Sequence, residues 1–120
     1  MATILLVEDT PANQALATKL LRAAGHTVLS ADTAAASVTV ATEQRPDLVL
    51  MDLGLPDKDG WQALAEIRAD ERAAGLRVVA FTADAMLGDR ERALAAGFDG
   101  YITKPIDFAT FATTVAEYLP

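Results

Sequence analysis

The chain has no cysteine, one histidine and one tryptophan. Without thiols neither a disulfide framework nor a thiolate metal site can form, and His26 has no second imidazole with which to share a metal. Bases are scarce too: ten lysines and arginines against seventeen acids leave a formal charge of −7. A nucleic-acid backbone is therefore a poor primary partner, whereas cations and basic protein surfaces suit the charge. No apolar stretch nears the ~20 residues that span a bilayer. The opening MATILLVEDT has neither the basic leader nor the long apolar core of a signal peptide. Internal repeats, linkers and low-complexity tracts are missing as well. These absences lead to the expectation of a soluble, cytoplasmic protein with neither membrane nor nucleic acid as partner.

What is present is apolar and regularly punctuated. At 120 residues and 52% hydrophobic content, the sequence can fill one core but not two, so a single domain over 1–120 is expected. Five short apolar runs read as strands: Thr3 to Val7, His26 to Ser30, Asp47 to Met51, Arg77 to Phe81 and Gly100 to Ile102. The first and third are continuous, as in strands covered on both faces, and the second alternates, as nearer an edge. Helical patterns separate them: Pro11 to Ala24, with Leu16, Leu20, Leu21 and Ala24 on one stripe; Thr33 to Gln44; Gly60 to Arg72; and Asp84 to Ala96, with Met86, Leu87 and Leu94. A last helix opens near Asp107 and aligns Phe108, Phe111, Val115 and Leu119 as a core stripe. Gly25, Gly75 and Gly97 stand where helices should end. This repeating order predicts an α/β fold, a doubly wound parallel sheet with five strands, five helices and the flavodoxin-like order 2-1-3-4-5. Ligands then bind outside the carboxyl ends of the strands, where strands 1 and 3 part.

Asp52 poses the sharpest question, because it directly follows the apolar run Leu48-Val49-Leu50-Met51. A buried unpaired charge is costly, so Asp52 either emerges into solvent or is held at a rim where something binds. The other strand ends favour the rim. Glu8 and Asp9 follow strand 1, Thr82 follows strand 4, and Thr103-Lys104 follow strand 5. Strands 1 and 3 would lie about 4.8 Å apart, so the three acids have to meet. Clustered carboxylates repel unless a cation lies among them. An all-oxygen set favours a hard ion, and Mg²⁺ fits because it keeps several waters beside one or two carboxylates. With Lys104 nearby, such a site suits a phosphoryl group, with Asp52 as the nucleophile forming a mixed anhydride. Acids after strands often only cap the next helix, but Pro11 at a first helical position makes Thr10 the natural cap and leaves Asp9 free of that task.

VEDTP, LVLMDLGLPDKDGW, VVAFTADAM and GYITKPI, taken in that order, resemble the signatures of bacterial two-component response-regulator receiver domains, of the chemotaxis single-domain type. The resemblance covers essentially the whole chain. The same strand order is a known property of that family, so fold and resemblance make one expectation rather than two. The resemblance implies that Asp52 accepts phosphate from a histidine kinase or a histidine phosphotransfer protein. It implies that Asp9, Asp52 and the main-chain carbonyl of Gly54 hold Mg²⁺, with Glu8 acting through a metal-bound water. Thr82 and Lys104 would bind phosphoryl oxygens, and Tyr101 would turn inward as Thr82 moves. Lys104-Pro105 falls at the position of a cis peptide in the family. Output would pass through protein contacts on the surface of helix 4, strand 5 and helix 5. In that role the domain assists only its own phosphorylation and dephosphorylation and is not a turnover enzyme.

Other readings compete. A phosphorelay intermediate, or a receiver taken from a larger hybrid kinase, would carry the same residues. A small Asp-nucleophile phosphatase also combines Asp, Thr, Lys and Mg²⁺, but its nucleophile follows the first strand in a DxD arrangement, and here Gly54 stands in place of the second acid. A degenerate receiver would lack part of the quintet Glu8, Asp9, Asp52, Thr82 and Lys104, and a flavodoxin-like ligand module would want a Gly-rich cradle. LPDKDGWQALAE fits a calcium loop at Asp57, Asp59, Gly60 and Glu66 but has Leu55 at its first position, which removes a ligand. His26 reads as a surface residue, Trp61 as packing at a helix start, and Asp89-Arg90-Glu91-Arg92 as a solvated helix face.

Gly54, two residues after Asp52, has no side chain where many receivers carry a bulkier group, and Asp84 follows Thr82 by two. Water should reach a phosphoryl group more freely over a glycine. Gly54→Asn is expected to lengthen the phosphoryl half-life, measured by loss of the phosphorylated mass over time; a shorter half-life would count against this role.

Overall fold

The computed structural model describes residues 2–53, 55, 60–83 and 89–119. Each apolar run forms a strand: β1 (Thr3–Val7), β2 (Thr27–Ala31), β3 (Leu48–Met51), β4 (Arg77–Thr82) and β5 (Gly100–Thr103). Between and after them lie α1 (Pro11–Ala23), α2 (Ala34–Gln44), α3 (Gly60–Ala69), α4 (Asp89–Ala96) and α5 (Phe111–Ala116). All strand pairs are parallel, in the order β2-β1-β3-β4-β5. The flavodoxin-like topology expected from the sequence is therefore present.

Burial follows from the strand period. Successive side chains point to opposite faces, so a strand covered on both sides has to be apolar throughout. Leu5, Val7, Val49, Met51, Val78 and Ala80 face one core, to which α2 and α3 contribute Ala41, Ala63, Leu64 and Ile67. Ile4, Leu6, Leu48, Leu50, Val79 and Phe81 face the other, closed by Ala17 and Leu21 of α1 and by Phe111 and Val115 of α5. β2 is an edge strand with an interrupted burial pattern, as its alternation predicts.

Helix ends follow local chemistry. Gly25 takes a φ of 95° after α1, where the His26 amide donates to the Leu21 carbonyl at 3.1 Å and the Gly25 amide to Arg22 at 2.9 Å. Gly97, with φ 112°, closes α4 in the same manner through Phe98 to Ala93 and Gly97 to Leu94. These paired bonds satisfy carbonyls that the helix leaves open, with a left-handed residue that glycine adopts without strain. Gly75 does not end a helix: it lies in the turn before β4.

Several boundaries differ from the sequence expectation. α3 stops at Ala69 rather than Arg72, because the Asp70 carboxylate accepts from the Arg72 amide at 2.9 Å and offers the backbone an alternative to the helix. α5 begins at Phe111 rather than near Asp107, whose carboxylate accepts from the Ala109 amide at 2.9 Å and holds a turn there. Phe108 therefore leaves the expected core stripe and is 71% exposed, while Phe111 and Val115 are buried. Leu94 is exposed and Ala93 fills the core position on α4. Ala24 is exposed and Ala17 is buried in its place. His26 is partly buried, its Nδ1 accepting from the Ala2 amide at 3.2 Å. Thr10 occupies the N-cap of α1, but its side chain makes no capping hydrogen bond. Gly54, Pro56, Asp57, Asp59, Asp84, Met86 and Leu87 lie outside the described residues.

The two phenylalanines of the last segment should behave oppositely. Phe111→Ala is expected to cost about 3–5 kcal/mol in urea unfolding, as for other buried aromatic truncations. Phe108→Ala should stay within about 0.5 kcal/mol of wild type, as is usual for exposed positions.

Candidate functional site

The sheet itself brings the carboxylates together. Val7 and Met51 are register partners at the ends of β1 and β3, and the Asp52 amide donates to the Val7 carbonyl at 3.0 Å. On the other side of β1 the Glu8 amide donates to Ala31 at 3.0 Å. Glu8 and Asp52 are thus the first residues past the ladder, side by side on neighbouring strands. Glu8 is fully buried and Asp52 is 8% exposed, while Asp9 points into the open. One carboxylate oxygen from each of the three can be chosen so that all lie within 4.8 Å of one another.

Lys104 reaches this group from the far edge of the sheet. Its amide donates to the Thr82 carbonyl at 2.8 Å, which extends the β4–β5 pairing by one residue. Its Nζ lies 2.6 Å from Glu8 Oε2 and 3.2 Å from Asp52 Oδ2, having passed the buried ring of Phe81, whose centroid is 5.0 Å away. The peptide bond to Pro105 is cis. Thr82 is buried at the end of β4, and Tyr101, partly buried, pairs with Ala80 across β4 and β5. Glu8, Asp9, Asp52 and Lys104 are therefore brought to one place, with Thr82 at the end of the intervening strand.

Two neighbours were not singled out from the sequence. In the first turn of α1, Asn13 Nδ2 donates to Glu8 Oε1 at 3.2 Å, and Gln14 Nε2 to the Glu8 carbonyl at 3.3 Å. The only sequence signal for them is an amide pair placed early in the helix that follows Glu8-Asp9. Gly60, expected only as the start of a helix, does more. A Cβ there would lie 2.5 Å from the Asp52 carbonyl oxygen, and its amide donates to Leu53 at 3.0 Å. The start of α3 is packed directly on the backbone that carries Asp52. Trp61 next to it meets Phe98 edge-on at 5.5 Å and lies under the Arg92 guanidinium at 5.4 Å, which agrees with a packing role.

Burial pushes the Glu8 carboxyl above its ordinary 4.5; the Lys104 hydrogen bond opposes the shift and Asp52 adds to it. Three carboxylates around one ammonium leave an excess of negative charge that a divalent cation would cancel. The donor set is entirely oxygen, and it fits a hard ion such as Mg²⁺.

With this geometry in place, relatives can be compared. The response regulator receiver domain family matches residues 4–116. The chain belongs to that family. It is 35% identical over 117 residues to the polar-differentiation response regulator DivK of Brucella anthropi, covering 98% of this chain and 95% of that protein. It is 39% identical to the receiver domain of the sensor histidine kinase PA1611 of Pseudomonas aeruginosa, whose crystal structure has a magnesium ion coordinated in the active-site cleft. That match covers 98% of this chain and 96% of the other, with a TM-score of 0.88. The chemotaxis response regulator CheY4 of Vibrio cholerae superposes with a TM-score of 0.91 over 99% of both chains at 22% identity, a likeness of fold. The chain is thus a receiver domain of two-component, phosphorylation-based signalling. Among the described residues no helix is long and apolar enough to cross a membrane.

Two outcomes follow for this receiver. Folding raises the Glu8 carboxyl, so the folded state keeps that proton to higher pH than the unfolded chain. Without metal, stability should therefore fall as pH rises from the ordinary carboxylate range through the folded pKa. Glu8→Gln should flatten that fall in urea unfolding with EDTA at a series of pH values. Separately, Gly60→Ala sets a methyl group against the Asp52 carbonyl and should cost about 1–3 kcal/mol, as overpacking does. Gly60→Ala should also slow phosphorylation by acetyl phosphate.

Proposed function

We propose that this receiver takes a phosphoryl group on an Asp52 carboxylate oxygen from a phosphohistidine of a histidine kinase or phosphotransfer protein, and that Mg²⁺ is required. The observation that supports this most directly is the Lys104 ammonium held between Glu8 and Asp52, at 2.6 and 3.2 Å, beside the open carboxylate of Asp9. In the transfer, the P–N bond breaks as a P–O bond to Asp52 forms, and the imidazole nitrogen leaves with the electron pair. Asp9 and Asp52 would hold the metal, with Glu8 acting through a bound water; the Gly54 carbonyl, which family resemblance adds, lies outside the described residues. Mg²⁺, when bound, offsets the negative charge that the carboxylates and phosphoryl oxygens bring together. Lys104 exchanges its carboxylate contacts for a phosphoryl oxygen, and the Thr82 hydroxyl donates to another.

The added charge then has a route outward. Phosphorylation contributes about two negative charges and new acceptor oxygens. Drawing in Thr82 and Lys104 pulls the ends of β4 and β5. Tyr101 lies on β5, and with Ile102, Pro105, Ile106, Phe111 and Thr114 it lines a groove of about 260 Å³ against α5. A downstream protein would read the α4–β5–α5 surface, and the domain would sit in the cytoplasm with the kinases that serve it.

A second reading has a specific observation in its favour. The PA1611 receiver, at 39% identity, is part of a sensor histidine kinase. By that likeness the domain would act as a phosphorelay intermediate, passing its phosphoryl group on to a histidine. Return of phosphate from the phosphorylated domain to a phosphotransfer protein separates relay from terminal output.

Incubation with Mg²⁺ and acetyl phosphate should add one phosphate to the intact mass. The gain should be absent in Asp52→Ala and in EDTA. Continued rapid hydrolysis of unrelated phosphoesters would instead favour a phosphatase.

A further inference from the structure

Glu8 is the most constrained side chain of the site. It has no exposed surface, and each carboxylate oxygen has a donor of its own: Lys104 Nζ on Oε2 at 2.6 Å and Asn13 Nδ2 on Oε1 at 3.2 Å. The main-chain carbonyl of the same residue accepts from Gln14 at 3.3 Å. Those donors differ in what happens to them during signalling. In the proposed function Lys104 moves to a phosphoryl oxygen, so its bond to Glu8 is temporary. Asn13 is anchored in the first turn of α1, one residue after Ala12 and two after Pro11, and no step of phosphotransfer requires it to move.

Among the described residues Asn13 is thus the fixed donor to the carboxylate, and a buried carboxylate that loses such a donor is left unsatisfied and free to rotate. Groups one step removed from a metal orient the residues that hold it and its waters, and they set affinity as strongly as many direct contacts. We propose that Asn13 is the positioning residue for Glu8: its amide fixes the carboxylate plane in which Glu8 would meet a water of the bound metal, and would keep that plane once Lys104 has left. The amide is suited to this task because it donates without adding charge to a cluster already in negative excess. An aspartate at the same place would add a fourth carboxylate and remove the donor.

This inference rests on the metal-dependent receiver reading above, and the test separates the two. Mg²⁺ is titrated into metal-free wild type, Asn13→Leu and Gln14→Leu, with affinity read from amide chemical shifts and fold stability from urea unfolding in EDTA. Asn13→Leu removes the carboxylate donor and should weaken Mg²⁺ binding about tenfold, the lower end of what such outer groups contribute. Gln14→Leu alters the same helical turn but spares the carboxylate, and its affinity should stay close to wild type. Phosphorylation of Asn13→Leu by acetyl phosphate should be slow at low Mg²⁺ and recover most of its rate at saturating Mg²⁺. A wild type that binds Mg²⁺, with Asn13→Leu binding it equally well, overturns the inference alone. Equal losses in Asn13→Leu and Gln14→Leu that track their unfolding free energies overturn it too, since α1 as a whole would then be responsible. A wild type that binds no Mg²⁺ overturns the metal reading and this inference together.

Discussion

The ammonium of Lys104 is the constraint around which the site is arranged. Parallel pairing of β1 with β3 puts Glu8 and Asp52 next to each other at the sheet's carboxyl edge, with almost no water to separate them. Two carboxylates in that position repel, and burial alone already pushes the Glu8 carboxyl upward. A nearby cation relieves that repulsion. Lys104 comes from the far edge strand, across β4, and its long stem passes the Phe81 ring on the way. Its side chain is 9% exposed, so the attraction to both acids acts at short range with little screening. Such a buried cluster contributes little net stability, because desolvating the charges offsets most of the attraction. Its consequence is positional. Glu8, Asp52 and Lys104 are held ready at distances that a metal or a phosphoryl group can take over.

The same ammonium connects the site to the far side of the molecule. Under it lies Phe81, fully buried, and Phe81 packs on Phe111 of α5 with ring centroids 5.7 Å apart. Lys104 directly follows β5, whose Tyr101 lines the groove against α5. A shift of Lys104 toward a phosphoryl oxygen, as proposed, would thus act on β5 through the backbone and on α5 through two aromatic rings. Close packing makes such contacts two-state rather than continuously deformable. A second line runs through α3. Gly60 rests on the Asp52 carbonyl, and Trp61 beside it touches Arg92 on α4 and Phe98 just beyond the end of that helix.

Much of this could be read from residue order, and a good part of the rest has one cause. Continuous apolar runs marked β1 and β3 as doubly covered, and the alternation from His26 to Ser30 marked the edge strand that forms over Thr27–Ala31. Convergence of Glu8, Asp9, Asp52 and Lys104 was legible because each directly follows a strand, and strand order then fixes where strand ends meet. Several of the misplaced details are set by single side-chain hydrogen bonds. Asp70 ends α3 early and Asp107 delays α5, and the delay turns Phe108 outward. Asn13 went unnoticed for the same reason. Its importance lies in one bond to Glu8, five residues earlier, and hydrophobic periodicity carries no record of such a bond. His26 likewise read as a surface residue until its ring nitrogen was found accepting from the chain's own second residue.

The exchange proposed at Lys104 would also limit how strongly phosphate can drive the switch. Moving an equilibrium from 1:99 to 99:1 takes roughly 5.5 kcal/mol of differential affinity for the two states. A new bond from Lys104 to a phosphoryl oxygen is not all gain, because the contact with Glu8 at 2.6 Å and that with Asp52 at 3.2 Å are given up for it. What counts is the difference between the two sets of contacts, and that difference depends on how well Glu8 is satisfied after the ammonium leaves. A carboxylate still held by Asn13 and facing a metal-bound water loses little, so most of the phosphate's attraction for Lys104 is available to move β5. A Glu8 left without donors would pull the ammonium back and hold the receiver in its unphosphorylated form. On the proposed function, the size of the switch would therefore depend as much on the Asn13 amide behind Glu8 as on Asp52.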